Sequence, residues 1–194
     1  SVTDVNTVTT KKPDATSFDV HLPLMSLPGV FEDSLETIPK TVPYIGPSPP
    51  LASTDKPKKI GIAWAGSGNQ PLDRRSIPVE TLKPLLNKPN IEFHSLQLNR
   101  ETPSNMKDHK TEMTDFMATA KLIQNLDLVI SVDTSIAHLA GALGKPVWIL
   151  LSFAPDWRWG HESTISHWYP SARLFRQNYG ESWKEVVNRI CTKI

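Results

Sequence analysis

The segment SVDTSIAHLAGALGKPVWILL, residues 131–151, constrains the fold more than any other part of the chain. It continues an apolar run, turns polar at Asp133, Thr134 and Ser135, and then becomes a helix pattern rich in small residues. A Gly-Lys-Pro sequence that begins at Gly144 ends this helix before a second apolar run, VWILL. A strand, a helix and a second strand in this order predict a βαβ unit with parallel strands.

Short apolar runs alternate with helical patterns from residue 58 onward. The predicted strands cover 59–66, 91–97, 127–133, 146–152 and 171–177, and the predicted helices cover 79–86, 114–126, 135–144 and 182–190. Thr114 is the expected N-cap of the second of these helices. Strands that alternate with helices predict an α/β fold with a doubly wound parallel sheet.

The first part of the chain has a different composition, because nine of the 17 prolines lie in the first 57 residues. We expect a disordered or artificially added tail over 1–17, a Pro-rich extended arm without regular elements over 18–57, and a folded domain over 58–194. Apolar residues such as Leu24 and Phe31 predict that the arm packs against a folded surface, either of this chain or of a missing one. Because the chain begins with Ser rather than Met, we also expect a fragment of a longer protein.

The composition excludes several classes of protein. A net charge of +1 argues against a nucleic-acid-binding domain, which usually carries a basic surplus. Cys191 is the single cysteine, so an internal disulfide or a cysteine metal site is impossible, and a reduced, cytoplasmic setting fits. No apolar stretch approaches the roughly 20 residues that cross a bilayer, and the N-terminus has no signal-peptide core.

The turn after the first predicted strand, AGSGNQPLDRRSIP, favours an anionic ligand. Its small and hydrogen-bonding residues are Gly66, Ser67, Gly68 and Asn69. Glycines let a backbone approach a ligand closely, and the guanidinium groups of Arg74 and Arg75 suit phosphate oxygens. The spacing matches neither a P-loop nor G-x-G-x-x-G. The alternative is a flexible turn with two solvated arginines.

The next two strand-to-helix turns open on the same edge of a parallel sheet. Gln97 either hydrogen-bonds a base or ribose or is a surface glutamine. Asp133 either caps the helix that begins near Ser135 or faces a ligand. Thr134 and His138 share one helix face, and His138 either lies at the edge of the core or hydrogen-bonds a sugar or phosphate.

The turn after the fourth predicted strand, SFAPDWRWGHESTISHWYP, is rich in aromatic residues. Trp157, Trp159 and Trp168 accompany Asp156 and Arg158. Aromatic rings on a loop commonly stack on sugars or bases. The alternative is that they pack on the arm, over 18–45, as a second core.

The segment DLVISVDTSIAHLAGALGKPVWILL, followed by APDWRW, WYPSARLFRQ and W..VV..I, resembles the C-terminal domain of heptosyltransferase-type glycosyltransferases, which use ADP-heptose as donor and lipopolysaccharide as acceptor. It is similar to the branch of that family often fused to tetratricopeptide repeats in bacterial proteins. GIAWAGSGNQPLDRRSIP matches the segment that opens this domain, and FDVHLPLMSLPGVFEDSLETIPKTVPYI matches the stretch that joins the two domains. The resemblance spans roughly 18–190.

The resemblance implies the Rossmann-like C-terminal half of a two-lobed GT-B glycosyltransferase. Its substrate would be a nucleotide-diphosphate sugar, with no cofactor and no metal, and the chain has no Asp-x-Asp pair. By position, the residues expected around the diphosphate are Ser67, Arg74, Arg75, Thr134 and Ser135. Asp133 and His138 would face the sugar or the phosphates, and Gln97 would lie near the nucleoside.

The resemblance also implies that an N-terminal lobe is missing, and in this fold that lobe holds the acceptor site and usually the catalytic base. Asp133 or His138 could imitate the base, but both fit donor binding better, so we expect this chain alone to be inactive. The alternatives are a non-catalytic nucleotide-sugar sensor and a protein-interaction module. Replacing Arg75 by alanine is expected to weaken nucleoside-diphosphate binding and to leave the melting temperature nearly unchanged.

Overall fold

The computed structural model describes residues 7, 9–46, 58–68, 73–161 and 163–194. The chain divides into two compact units, and the boundary lies between Pro39 and Lys40. In the first unit, short 3-10 turns at Ala15–Ser17 and Leu24–Ser26 precede a single helical turn, α1, at Leu27–Val30. The first turn lies in the predicted tail, and the other two are single turns within the predicted Pro-rich arm.

The second unit contains a six-stranded sheet in which all neighbouring strands are parallel. Its strands are β1 Lys58–Ala63, β2 Ile91–Ser95, β3 Lys107–Asp108, β4 Leu128–Val132, β5 Val147–Leu151 and β6 Ala172–Arg176. Their order is β3-β2-β1-β4-β5-β6, which is the Rossmann order with its reversal between β1 and β4. The five predicted strands are confirmed, and β3 is an additional strand of two exposed residues.

Helices cover both faces of the sheet, which confirms the doubly wound architecture. They are α2 Lys83–Leu86, α3 Phe116–Gln124, α4 Ser135–Ala142 and α5 Trp183–Cys191. Helices α3 and α4 pack together over one apolar core, and α2 and α5 pack together over the other. Among the described residues, no helix has the length and apolarity needed to cross a membrane.

Two helix starts differ from the sequence-based expectation. The N-cap of α3 is Asp115, not Thr114, because the Asp115 carboxylate accepts a 2.7 Å hydrogen bond from the Ala118 amide. The helix predicted over 79–86 begins as a 3-10 turn at Val79–Leu82 and becomes α-helical only in α2.

The last described residues of the predicted arm, 40–46, belong to the second unit. Val42 and Ile45 pack against the core beneath α3 and α4, and the Tyr44 amide donates a 3.0 Å hydrogen bond to the carbonyl oxygen of Ala142. Leu24 and Phe31 are 78% and 70% exposed, so their packing against a surface outside this chain stays a prediction. The rest of the arm, 47–57, lies outside the described residues.

Candidate functional site

The glycine turn and the Asp-Thr turn lie side by side. β1 and β4 are neighbours, with Ala63 opposite Ser131, so the loops that leave both strands begin at the same edge of the sheet. This is the point where the strand order reverses, and open α/β sheets bind ligands in the crevice beyond such a point. The loop from β1 begins at Trp64 and the loop from β4 begins at Asp133.

Gln97 holds the loop that follows β1. Its side chain is buried, its Oε1 accepts hydrogen bonds of 3.1 and 2.9 Å from the amides of Trp64 and Ala65, and its Nε2 donates to the Ala65 carbonyl at 3.0 Å. The alternative of a surface glutamine is wrong. A nucleoside contact also finds no support, because backbone groups already occupy three of the four hydrogen-bonding positions of this amide.

A carboxylate-centred turn brings the end of the same loop back to its start. Asp73 accepts hydrogen bonds from the amides of Arg75 and Ser76 and from the Ser76 hydroxyl, whose oxygen accepts the Gly66 amide at 3.0 Å. Burial alone would raise the pKa of Asp73. The hydrogen bonds from Ser76 and the two amides, together with the charge of Arg75, lower that pKa below its ordinary value.

Arg75 joins the two loops. Its Nη1 donates a 3.0 Å hydrogen bond to the carbonyl oxygen of Asp133. A Cβ atom at Gly66 would lie 3.0 Å from Arg75 Nη2, so a larger residue would press on the guanidinium group. Arg75 Nε is buried, lies 3.7 Å from the Asp73 carboxylate and has no hydrogen-bond partner among the described residues.

The joined loops border a cleft of about 280 Å³. Its lining is Arg74, Arg75, Asp133, Leu151, Ser152, Ala154, Pro155 and Asp156. Arg74 is exposed. Two guanidinium groups and two carboxylates therefore share one small polar space, with the cations suited to phosphate oxygens and the carboxylates suited to sugar hydroxyls.

The predicted glycine-turn residues Ser67 and Gly68 do not line this cleft. Both are exposed, and the backbone of Gly68 has a φ of +81°, which glycine adopts without steric cost. The nearest atoms to a Cβ placed at Gly68 belong to the guanidinium group of Arg100, which sequence reasoning did not single out. Asn69 lies outside the described residues.

Helix α4 begins at the same edge, and its N-cap is Thr134 rather than Asp133. The Thr134 side chain makes no capping hydrogen bond, and its hydroxyl lies 3.1 Å from that of Ser131. The alternative in which Asp133 only caps the helix is therefore wrong. Ser135, the first helical residue, is exposed at the open start of the helix, where amide groups favour an anion.

His138 lies beside this helix start with its ring held on several sides. Its Nδ1 is 3.0 Å from the Tyr169 hydroxyl, its Nε2 is 3.8 Å from the Asp133 carboxylate, and its ring stacks on Trp159 at 5.1 Å between centroids. Burial lowers the pKa of His138, and the charge of Asp133 opposes that shift. The imidazole is therefore favoured in its neutral form, with one edge toward Asp133.

The three tryptophans divide between the core and the surface. Trp159 is 1% exposed and belongs to the core, and Trp168 packs against that core and donates from Nε1 to the Arg158 carbonyl at 3.0 Å. Trp157 is 64% exposed, and the Arg158 guanidinium lies 4.8 Å from its ring centroid. Of the three tryptophans, Trp157 is therefore the one with an exposed ring that could stack on a ligand.

Sequence reasoning missed four residues of this region. Asp73 and Ser76 shape the arginine loop, Asp156 lines the cleft, and Tyr169 contacts His138. Asp73 and Asp156 each precede a turn and accept a hydrogen bond from the amide two residues later, which is a recognisable local pattern. Tyr169 carries no such signal, because its contact depends on tertiary packing.

A protein-family model matches part of the chain. Residues 110–188 match the model of glycosyltransferase family 9 (heptosyltransferase). The matched segment includes β4, α4, β5 and the aromatic loop, whereas the glycine turn and the arginine pair precede it. The heptosyltransferase part of the sequence-based resemblance is thus supported over this segment.

Three individual proteins are similar to the chain. Protein FlbA of Caulobacter vibrioides (strain ATCC 19089 / CIP 103742 / CB 15) is 26% identical over 182 residues, which cover 82% of this chain and 30% of FlbA. The structure titled "E. coli heptosyltransferase WaaC with ADP" matches with a TM-score of 0.50 and 15% identity, over 74% of this chain and 45% of that one. A family 9 glycosyl transferase from Veillonella parvula DSM 2008 matches with a TM-score of 0.44 and 11% identity, over 64% and 36%. The chain thus spans less than half the length of each of these proteins.

Proposed function

We propose that this chain is the nucleotide-sugar-binding domain of a glycosyltransferase that transfers a sugar from a nucleotide-diphosphate donor to an acceptor. The match of residues 110–188 to a heptosyltransferase family supports sugar transfer as the reaction class. The Rossmann strand order supports a nucleotide-binding domain, since such sheets bind nucleotides at the reversal of strand order. In finer terms, the domain is the C-terminal half of a GT-B enzyme of the branch associated with tetratricopeptide repeats.

The observation that carries this proposal is the hydrogen bond from Arg75 to the carbonyl oxygen of Asp133. It places a guanidinium group between the loop that leaves β1 and the start of α4, at the edge of the sheet where we place the donor diphosphate. Arg74, exposed in the same cleft, adds a second cation. Fixed positive charge at this place stabilises the nucleoside diphosphate as it departs and its negative charge increases.

The remaining groups of the site suit the sugar. The carboxylates of Asp133 and Asp156 line the cleft and can accept hydrogen bonds from sugar hydroxyls. His138, beside Asp133, can donate from Nε2 to a hydroxyl or a phosphate oxygen. The two arginines supply the positive charge that a metal ion provides in other transferases, which supports a metal-independent reaction.

We further propose that a second lobe supplies the acceptor site and the catalytic base. A base must take the proton of the acceptor hydroxyl as that oxygen attacks the anomeric carbon. Asp133 lies next to the guanidinium group that we assign to the donor diphosphate, so donor binding is its better role. The chain alone would therefore bind donor and transfer nothing.

Calorimetric titration of the purified chain with ADP, UDP, GDP and their hexose-linked forms tests donor binding. ADP is the first nucleotide to try, because the structure of the similar E. coli enzyme is titled as an ADP complex. We expect one nucleotide series to bind and Arg74→Ala to weaken it about tenfold or more, as for the loss of a charged hydrogen bond. Arg173→Ala removes an exposed arginine outside the cleft and is the matched control. The absence of binding by every nucleotide would refute the proposal.

A non-catalytic nucleotide-sugar sensor would use the same cleft, and sugar transfer by the full-length protein separates it from an enzyme. A protein-interaction module would need a wider apolar surface on the aromatic loop. Burial of Trp159 and partial burial of Trp168 remove two of the three tryptophans from that surface, on which Phe153, Trp157 and Ile165 are exposed.

A further inference from the structure

A series of polar contacts runs from the predicted arm to the candidate site. The Tyr44 phenol lies near enough to the Tyr169 phenol to influence its protonation. The Tyr169 hydroxyl lies 3.0 Å from His138 Nδ1, and His138 Nε2 lies 3.8 Å from the Asp133 carboxylate. Tyr44 is 58% exposed and Tyr169 is 8% exposed, so the series begins at the surface and ends at the cleft.

The helix that carries His138 is shaped to receive Tyr169. A Cβ atom at Gly141 would lie 2.6 and 2.7 Å from the two Cδ atoms of the Tyr169 ring, so only glycine leaves room for the ring at this place. The Ser166 hydroxyl accepts the Tyr169 amide at 3.2 Å, which fixes the backbone that supports the ring. Gly141 follows His138 by three residues, on the same helix face.

The end of the same helix receives the arm. The Tyr44 amide donates to the Ala142 carbonyl at 3.0 Å, and a Cβ atom at Gly144 would lie 3.4 Å from the Pro43 nitrogen. Gly144 has a φ of +69°, a conformation that favours glycine at a helix end. The close packing at the end of α4 thus fixes the backbone that carries Tyr44.

The hydrogen-bonding capacity of these groups fixes the direction of each bond. Asp133 opposite Nε2 favours the neutral His138 tautomer that carries its proton on Nε2, so Nδ1 is an acceptor. Burial raises the pKa of Tyr169 well above its ordinary value, so this phenol keeps its proton. Tyr169 therefore donates to Nδ1.

We propose that Tyr169 is a positioning residue that holds His138 in the Nε2–H tautomer, and that Tyr44 acts on the site through Tyr169. The result is an imidazole with a fixed ring and a donor N–H turned toward Asp133 and the cleft. The positioning role of Tyr169 depends on the proposed function only for the identity of the ligand, because the tautomer of His138 is defined in the absence of any ligand. The predicted arm is then part of the binding site and not only a connection.

The experiment measures the tautomer of His138 by long-range ¹H–¹⁵N NMR of the whole chain in the absence of ligand. The variants are Tyr169→Phe, Tyr44→Phe and the double variant, each of which keeps the ring and its packing. Tyr179→Phe is the matched control, because Tyr179 is 87% exposed and its ring contacts Phe153 instead. Titration with ADP then measures the consequence for binding.

We expect an Nε2–H signature in the wild type and a clear rise of the Nδ1–H form in Tyr169→Phe. The dissociation constant for ADP should rise about three- to tenfold in Tyr169→Phe, as for the loss of one hydrogen bond. Tyr44→Phe should shift the tautomer less, and it should have no effect when Tyr169 is already Phe. Tyr179→Phe should match the wild type.

Three results would overturn the proposal: an unchanged tautomer in Tyr169→Phe, an Nδ1–H signature in the wild type, or equal effects of Tyr44→Phe in both backgrounds. A shifted tautomer with unchanged ADP affinity would overturn the link to the ligand. If the wild type binds none of the nucleotides while Tyr169 still controls the tautomer, the proposed function fails and the positioning role stands.

Discussion

The Nη1 atom of Arg75 donates a hydrogen bond of 3.0 Å to the backbone carbonyl oxygen of Asp133, a residue 58 positions further along the chain. The bond connects the loops that leave two neighbouring strands, β1 and β4. The Arg75 side chain is only 30% exposed. One guanidinium group therefore serves both the fold and the candidate ligand cleft, whereas the neighbouring Arg74 is exposed and serves only the cleft.

Arg75→Ala should lower the free energy of unfolding by about 1–2 kcal/mol, because it leaves the carbonyl of Asp133 without its charged donor. It should also weaken ADP binding. The sequence alone predicted an unchanged melting temperature, and the structure revises that prediction. Urea denaturation and calorimetry measure the two effects. Arg74→Ala is the control, which should lose affinity for ADP and keep its stability. Equal stability of the two variants would contradict a structural role for the hydrogen bond from Arg75 to Asp133.

Gln97→Leu should destabilise the loop after β1. Leucine has a similar size, but it leaves the amides of Trp64 and Ala65 without their acceptor, and each buried unpaired group costs about 1–3 kcal/mol. We expect a lower unfolding midpoint in urea and faster amide exchange at these two residues. Gln177→Leu removes a partly buried glutamine that donates to the Glu181 carbonyl, and it should cost less. Similar losses in both variants would show that Gln97 has no special role.

Gly141→Ala should be destabilising although alanine has the higher helix propensity. A methyl group at this position overlaps the Tyr169 ring, and overpacking of a core costs about 1–3 kcal/mol, which exceeds the propensity gain of about 1 kcal/mol. Thermal unfolding of the purified variant measures the effect. In Gly29→Ala, the control, the added Cβ contacts nothing within 4 Å. A more stable Gly141→Ala variant would show that the ring can move aside at little cost.

The main features of the sheet followed from the sequence, because each buried strand is an apolar run with a polar turn after it. β3 did not, since two exposed residues carry no apolar pattern. The contact between Arg75 and Asp133 was predictable, because the loops that leave the carboxyl ends of parallel strands lie at the same edge of the sheet. That edge is set by the strand order alone.

The inward direction of Gln97 and the separation of Trp157 from Trp159 were not predictable. The direction of Gln97 depends on the backbone amides that it meets, and the burial of Trp159 depends on the core surface beneath it. The local sequence around either residue does not contain that information. Tyr169 is the clearest case, because 31 residues separate it from His138 and its place depends on the absence of a side chain at Gly141. A tyrosine between Trp and Pro gives no sign of this contact.

Lys145→Met should destabilise the connection between α3 and β4. The buried ammonium group of Lys145 donates to the carbonyl oxygens of Gln124 and Leu126, at 3.0 and 2.5 Å, where α3 ends. Methionine has a similar volume but removes both of these hydrogen bonds, so we expect a loss of about 2–3 kcal/mol in urea denaturation. Lys121→Met changes an exposed lysine of α3 and should lie within about 0.5 kcal/mol of the wild type. Equal stabilities of the two variants would be evidence that the hydrogen bonds from Lys145 at the end of α3 do not stabilise the fold.

Asp73 should make the arginine loop sensitive to acid. Its hydrogen bonds hold the folded-state pKa below the ordinary value of 3.8, although burial opposes them. Above that value the carboxylate is ionised in the folded and unfolded chains, and its stabilising contribution is complete. As the pH falls below 3.8, the unfolded chain takes up a proton first, so the contribution declines until the folded-state pKa is passed.

The measurement is urea denaturation of the wild type and Asp73→Asn between about pH 3 and pH 6, on either side of an ordinary aspartate pKa. Asparagine can still accept hydrogen bonds from the amides of Arg75 and Ser76, but it carries no charge that changes with pH. The wild type should therefore be the more stable protein at pH 6, and its advantage should shrink as the pH falls toward 3. A constant difference across this range would show that the Asp73 carboxylate gains nothing from Ser76, the two amides and Arg75 in the folded chain.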